Sequence, residues 1–432
     1  MAWDFSTEPE FEAQLEWAQT FVREEIIPLE TLADRWREDR ATFTRIVAPL
    51  KEEVKRRGMW AAHLPPELGG GGWGQVKLGL MHEILGQCAY APSIFGNQAP
   101  DSGNAELIAV GGSDEQKKKW MEPLLAGEMR SCFSMTEPGA GADPTLLTTD
   151  AVRDGDEWVI NGHKWFSSNA SVSDFLIVMC RTNPDNEPHR RFSMIIVPTN
   201  TPGVDILRDV PTMGEPDHRT GEPGGHAEIK YRDVHVPYEN VVGNEGDGFL
   251  LAQKRLGPGR IHHCMRWLGQ SRRAFDMLCE RALSRYAHGS TLAEKQMVQD
   301  WIAESYAEMQ AARLLTLHAA WKMDTEGIGK SRVEIAAIKF WGAKVLYNVI
   351  DRAIQVHGSL GYTTDLPLES MYRAARAARI YDGPDEVHKV TVARNLLKRY
   401  KPAEVPTEHV PTRRAAALHK FADYLDNAAV SN

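Results

Sequence analysis

Apolar residues recur at helical spacing near the start of the chain. Phe11, Leu15, Ala18, Phe21 and Val22 fall at i, i+4, i+7 and i+10 to i+11, the stripe of an amphipathic helix. That texture continues to about residue 130 and predicts a mainly helical segment. The loop Leu64-Pro-Pro-Glu-Leu-Gly-Gly-Gly-Gly-Trp-Gly74 interrupts it and reads as a tight connector, since no Lys-Ser/Thr follows to make a phosphate cradle. From 131 to about 243 the pattern changes to short apolar runs: Trp158-Val-Ile160, Phe175-Leu-Ile-Val-Met179 and Phe192-Ser-Met-Ile-Ile-Val197. Turn signals at Asp154-Gly-Asp156, Asn161-Gly162 and Thr201-Pro-Gly203 separate them, so this segment predicts strands. From about 249 to 400 long helical patterns return. Helices, then strands, then helices predict an α+β fold with segregated elements rather than alternating βαβ units. The expected domains are 1–130, 131–245 and 246–400, with a tail at 401–432.

Composition narrows the function classes. With 432 residues, the chain can bury two or three cores, and 25% charged residues mark it as globular rather than disordered. No run reaches the ~18 apolar residues of a membrane span. The acidic start Met1-Ala-Trp-Asp-Phe resembles neither a signal nor a transit peptide. Five scattered cysteines without CxxC spacing suit a reducing cytoplasm and predict no zinc site or disulfide framework. A net charge of −9 argues against nucleic acid as the main partner.

Two stretches bear on chemistry. Gly139-Ala-Gly141-Ala-Asp-Pro144 is glycine-rich but lacks a third glycine and a helix-forming continuation, which argues against a Rossmann-type dinucleotide loop. Arg379-Ile-Tyr-Asp-Gly-Pro-Asp-Glu-Val-His388 follows the helical run at 370–379. Gly383 and Pro384 end that helix and hold Asp382 at its exit, where its carboxylate is a candidate general base. Asp before Gly-Pro is also ordinary turn chemistry. The adjacent pair His262-His263 points about 100° apart on a helix and predicts solvated or phosphate-facing side chains rather than a shared metal.

Several landmarks occur in a fixed order: Leu64-Pro-Pro-Glu-Leu-Gly-Gly70, Gly112-Ser-Asp-Glu-Gln-Lys117, Met135-Thr-Glu-Pro-Gly-Ala-Gly-Ala-Asp143 and Ile160-Asn-Gly-His-Lys-Trp-Phe166. Gly246-Asp-Gly-Phe249, Glu280-Arg-Ala282 with Arg285, Gln355-Val-His-Gly358 and Tyr381-Asp-Gly383 follow. With these the span 8–400 resembles the acyl-CoA dehydrogenase family. Ala99-Pro-Asp-Ser-Gly-Asn104 and Asp382-Gly-Pro-Asp-Glu-Val-His388 are most similar to the branch of animal family members ten and eleven. The resemblance implies a helical N-terminal domain, a central β-barrel-like domain and a C-terminal four-helix bundle, assembled as a homotetramer or dimer. It also implies FAD-dependent α,β-dehydrogenation of an acyl-CoA, with an electron-transferring flavoprotein as acceptor.

By position in the family's motifs, Asp382 is the base, and its own N–H with a flavin ribityl hydroxyl forms the oxyanion site. Burial beside substrate and flavin is expected to raise its pKa in the complex. Most of the family carries Glu there; the missing methylene shifts the carboxylate by roughly 1.5 Å. A base relocated to an earlier helix is not expected, because that neighbourhood reads Leu256-Gly-Pro-Gly-Arg260. Phe133, Met135, Thr136, Phe166 and Ser168 are the implied flavin contacts, with β-core packing the plainer role for the two phenylalanines. Arg285, Gln296, Gln355 and Gly358 are implied at the adenosine end, across a subunit interface. His288 stands where an aromatic is usual, and Pro384 and Glu386 where Thr and Gln are common.

Ala142, Arg260, Asp101, Asn97, Tyr381 and Gly383 are the implied substrate contacts. Arg260 either meets CoA or orders the bundle. Asp101 or Asn97 would give the acyl pocket a polar end, unless Asp101 caps a helix. Other outcomes of the same fold are a nitroalkane oxidase, an acyl-CoA oxidase and a non-catalytic DNA-associated relative. The last is kept open by the arginines of Arg373-Ala-Ala-Arg-Ala-Ala-Arg379, which otherwise form one solvated helix side.

Overall fold

The computed structural model describes residues 3–213, 225–402 and 409–428. Residues 1–2, 403–408 and 429–432, which carry the very start of the chain and parts of its tail, lie outside the described residues. The longer N-terminal helices are α1 (Pro9–Phe21), α2 (Arg40–Arg56), α3 (Gln75–Leu85) and α4 (Asp101–Gly111). The Gly-rich segment between α2 and α3 closes as a tight connector, with the Gly72 N–H donating to the Leu64 carbonyl at 2.8 Å.

Eight strands follow: β1 (Ser131–Ser134), β2 (Asp150–Asp154), β3 (Glu157–Ser168), β4 (Phe175–Arg181), β5 (Phe192–Pro198), β6 (Val204–Asp209), β7 (His226–Pro237) and β8 (Val241–Val242). They form one sheet in the order β6-β7-β3-β2-β4-β5-β8, with β1 parallel to β4. The central strands β4 and β5 are buried on both faces. Phe175, Ile177 and Met179 pack toward Leu107, Ile108 and Trp120, while Leu176, Val178 and Cys180 pack toward Trp158 and Tyr231. Two dry faces explain why these strands read as unbroken apolar runs rather than alternating ones.

The chain then returns to helix in α5 (Gly248–Ser284), α6 (Gln296–Glu326), α7 (Arg332–His357), α8 (Leu368–Ala378) and α9 (Asp385–Leu397). Leu268, Leu278, Leu317, Leu346, Val349 and Met371 share the core of this bundle. Helix α5 crosses α3 where Gly269 meets Glu83 and Gly86 meets Arg266. A Cβ on Gly269 would lie 1.9 Å from the Glu83 carbonyl oxygen, so only glycine lets the helices approach this closely. Of the arginine run, Arg373 pairs with Glu369 at 2.9 Å and Arg379 with Asp385 at 2.8 Å, while Arg376 is exposed. Among the described residues no helix is long and apolar enough to cross a membrane, and no group of His, Cys, Asp or Glu is arranged to hold a metal.

Candidate active site

Helix α8 ends at Ala378, and the turn that follows carries Asp382 with φ +53° and Gly383 with φ +97°. Three elements pin this turn. From α7, the buried Lys339 ammonium donates to the carbonyls of Ala378 at 2.7 Å and Gly383 at 3.2 Å. From α5, Arg260 Nε donates to the Asp382 carbonyl at 3.2 Å. From α9, His388 Nε2 meets the same carbonyl at 3.1 Å. A carbonyl only accepts, so His388 carries its proton on Nε2.

The Asp382 side chain is three-quarters buried, and its Oδ2 lies 3.0 Å from His263 Nε2. Arg260 and His263 are three residues apart on α5 and so share a face. Burial pushes the Asp382 pKa up, but the hydrogen bond from His263 and the charges of Arg255 and Arg260 outweigh it and hold the carboxyl well below the usual range. In the free chain burial acts together with three cationic or donor groups, not alone. The His263 pKa is lowered, by burial first and by Arg266 and Lys339, against the opposing pull of Asp382. The neutral imidazole therefore donates Nε2–H to the carboxylate.

His262 turns the other way and stacks on His82 of α3, with ring centroids 4.3 Å apart. His262 is buried rather than solvated, while His263 is only partly buried. Arg260 holds the Asp382 turn through its Nε. Tyr381 accepts from Trp267 Nε1 at 2.9 Å, which fixes the residue just before Asp382.

Phe133, Met135, Thr136, Phe166 and Ser168 come together where β1 leaves the sheet beside β3. Lys164 Nζ donates to the Met135 carbonyl at 2.8 Å, and the Trp165 N–H to the Thr136 carbonyl at 3.0 Å. Ser134 and Ser167 hydroxyls meet at 2.9 Å. Beneath this edge Glu137 accepts from Lys164 and from the backbone of Thr148 and Thr149. Phe166 sits at φ +50° with 41% of its surface exposed, so it is no core residue. Ser168 Oγ lies 2.8 Å from His226 Nδ1. Phe133 is half-buried under the Arg255 guanidinium at 4.1 Å, and Arg255 in turn faces Asp382 and Glu106. One cation thus joins the β1 edge to the Asp382 turn.

Other candidates stand elsewhere. Asp101 Oδ1 accepts from the Ser131 N–H at 2.8 Å and hydroxyl at 2.7 Å, tying α4 to β1. It is the first residue of α4 and does not cap that helix. Asn97 Oδ1 lies 3.0 Å from His63 Nδ1. Ala142 is exposed in the turn after β1. Arg285, Gln296, Gln355 and Gly358 are exposed at helix ends. Arg285 lies 25 residues beyond Arg260 along α5, about 37 Å at 1.5 Å per residue, so the two cannot serve one spot within a chain.

Sequence reasoning missed Arg255, Lys339, His388 and Glu106. His388 stood inside the quoted stretch, and the i, i+3 spacing of Arg260 and His263 was a usable signal. Lys339 gives none, since its partners lie about forty positions away.

Three family profiles match nearly the whole chain: the acyl-CoA dehydrogenase N-terminal domain over 8–128, middle domain over 132–225 and C-terminal domain over 246–397. A Mycobacterium tuberculosis protein named "probable acyl-CoA dehydrogenase" is 45% identical over 83% of this chain and 88% of its own length. Human acyl-CoA dehydrogenase family member 11 is 43% identical over 88% of this chain and 48% of its own, so the chain spans about half of that relative. Butyryl-CoA dehydrogenase of Megasphaera elsdenii superposes with a TM-score of 0.77 at 26% identity, over 91% of this chain and all of the other.

Proposed function

Because the chain belongs to the acyl-CoA dehydrogenase family and is an oxidoreductase of that class, we propose that it desaturates an acyl-CoA between Cα and Cβ, with Asp382 as the base at Cα. The observation that carries this reading is the Asp382 turn, fixed by three helices with its carboxylate aimed at a cationic, largely buried recess.

FAD is the cofactor this reading requires, and the residues present fit it. Phe166 leaves an aromatic ring exposed beside the hydroxyls of Thr136 and Ser168, and Arg255 Nε is buried without a partner among the described residues. Phe133, Met135, Thr136, Phe166 and Ser168 would hold the ring system. Arg285, Gln296, Gln355 and Gly358 would meet the adenosine end of a neighbouring copy's cofactor in a homo-oligomer, which their distance from the base within one chain favours. When bound, FAD supplies the hydride acceptor, and an electron-transferring flavoprotein is the partner that would reoxidise it.

In this reading Asp382 takes the Cα proton as an ionised carboxylate. Charge then develops on the thioester oxygen, and a donor aimed there lowers the barrier. Among the described residues the Asp382 N–H has no acceptor, which leaves it available for that oxygen. Arg260 and Lys339 hold the turn so that this N–H and the carboxylate keep one geometry, while Tyr381 and Gly383 flank it. Ala142, Asp101 and Asn97 act on the shape of the substrate channel, the last two through Ser131 and His63.

The test is anaerobic titration of the FAD-loaded protein with a series of acyl-CoAs, read by flavin absorbance. Bleaching by an acyl-CoA, slowed at least ~100-fold in Asp382→Asn with FAD retained, supports the reading. Bleaching of the variant at the wild-type rate removes Asp382 as base. No bleaching by any acyl-CoA removes dehydrogenation itself.

A further inference from the structure

The backbone of Asp382 is pinned through its own carbonyl by Arg260 and His388, and through the next carbonyl by Lys339. None of these contacts restrains the carboxylate, which can still turn about two side-chain torsions. One contact does: His263 Nε2 at 3.0 Å from Oδ2. Among the described residues Oδ1 has no partner, and the side chain keeps a quarter of its surface open. We infer that His263 is the positioning residue of the base: by holding Oδ2 it presents Oδ1 to the substrate and makes up for the shorter reach of aspartate. The inference rests on Asp382 being the base.

The arrangement is built from the α5 helix. His263 follows Arg260 by three residues, so one helical face fixes both the carbonyl and the carboxylate of the same residue. The ring of His263 is itself confined, with Tyr381 at 5.3 Å and Trp267 at 6.2 Å between centroids. A longer carboxylate could reach substrate without such a tether. A short one on a left-handed residue gains most from it, because a displacement of about 1 Å at a reacting atom can cost on the order of a hundredfold in rate.

Two consequences separate this role from mere packing. His263 must carry its proton on Nε2 and leave Nδ1 bare. It must also help keep Asp382 ionised, within a surround that includes Arg255, Arg260 and Arg266 on α5, Lys339 on α7, Asp385 and His388 on α9, Tyr381 on the turn and Glu106 beyond Arg255.

The experiment uses FAD-loaded wild type, His263→Gln and His263→Leu. Gln places its Nε2 the same number of bonds from Cα as the imidazole does, so it keeps the donor; Leu removes it. Flavin reduction by hexanoyl-CoA is followed against pH in anaerobic stopped flow. The expected result is a 10- to 100-fold lower plateau in His263→Leu, with an acid limb moved up by about one pH unit or more. His263→Gln recovers most of the rate and the wild-type limb. A slower His263→Leu with an unmoved limb, or a Gln variant no better than Leu, overturns the inference. A second reading needs no activity: in protein labelled with 15N-histidine, the His263 resonances, assigned by their loss in His263→Gln, report which nitrogen is protonated. An Nε2–H tautomer that loosens in Asp382→Asn is expected, and an Nδ1–H tautomer overturns the tether even if no acyl-CoA bleaches the flavin.

Discussion

The ammonium of Lys339 bridges Ala378 and Gly383, donating to one carbonyl at the end of α8 and to another just past Asp382. Its burial lowers its own pKa, with nearby Cys264, Asp382 and Asp385 pulling the other way. The lysine therefore acts as a cross-strut between α7 and the turn. Lys339→Met should leave the two carbonyls short of a donor and cost about 2 kcal/mol of stability. Urea unfolding would show a lower midpoint. Flavin reduction should also slow, because the turn is free to shift even with Asp382 intact.

The Lys164–Glu137 pair is the corresponding strut beneath the β1 edge, and both side chains are buried. Burial pushes the Glu137 pKa up, but the Lys164 charge and the hydrogen bonds from Thr149, Lys164 and Thr148 bring it down to about 2. A depressed carboxylate gives stability that is complete above its unfolded pKa of about 4.3 and is lost as pH falls toward about 2. Lys164→Met strands that carboxylate and should cost about 3–5 kcal/mol. It should also lower FAD occupancy, since Met135 loses the donor that fixes its carbonyl. Thermal melts from pH 7 to 3 check this: Glu137→Gln should flatten the acid side of the curve.

Much of the architecture was legible because segment texture follows burial. The helical stripe at Phe11–Val22 faces a core, and the runs at 175–179 and 192–197 sit in strands buried on both sides. Asp382 was legible too, since Gly383-Pro384 can only end a helix there. Its surroundings were not. Lys339 and His388 reach the turn through tertiary packing that no local pattern encodes, and Arg255 looks in sequence like any helical arginine. The same holds for Asp101 and Asn97. Their polar side chains suggested a pocket, while their partners Ser131 and His63 lie about thirty positions away and could not be read from the sequence.

Glu106 on α4 has its pKa raised to about 7 by burial, with Arg255 pulling it only partly back. A carboxyl raised in the folded state contributes stability that is present below its unfolded pKa of about 4.3 and lost as pH climbs through 7. Wild type should therefore melt lower at pH 8 than at pH 5.5 by more than Glu106→Gln does. The variant should be the more stable of the two at pH 8. Differential scanning calorimetry at both values decides it, and parallel curves would remove Glu106 as the source.

Gly383 is the position where the turn tolerates least. Its φ is +97°, and an added Cβ would lie 2.7 Å from His388 Nε2. Alanine there meets the left-handed penalty of about 1–2 kcal/mol. It also forces a choice: either His388 retreats and releases the Asp382 carbonyl, or the turn moves and carries the base with it. Both outcomes slow proton removal, so Gly383→Ala should lose flavin-reduction rate well beyond its loss of stability. His388→Ala alone frees one bond to the carbonyl and should be milder, because Arg260 still holds it. If the clash is the cause, Gly383→Ala combined with His388→Ala should be less damaged than the two single effects multiplied together. Plain multiplication in stopped-flow reduction rates would place the defect in backbone strain alone.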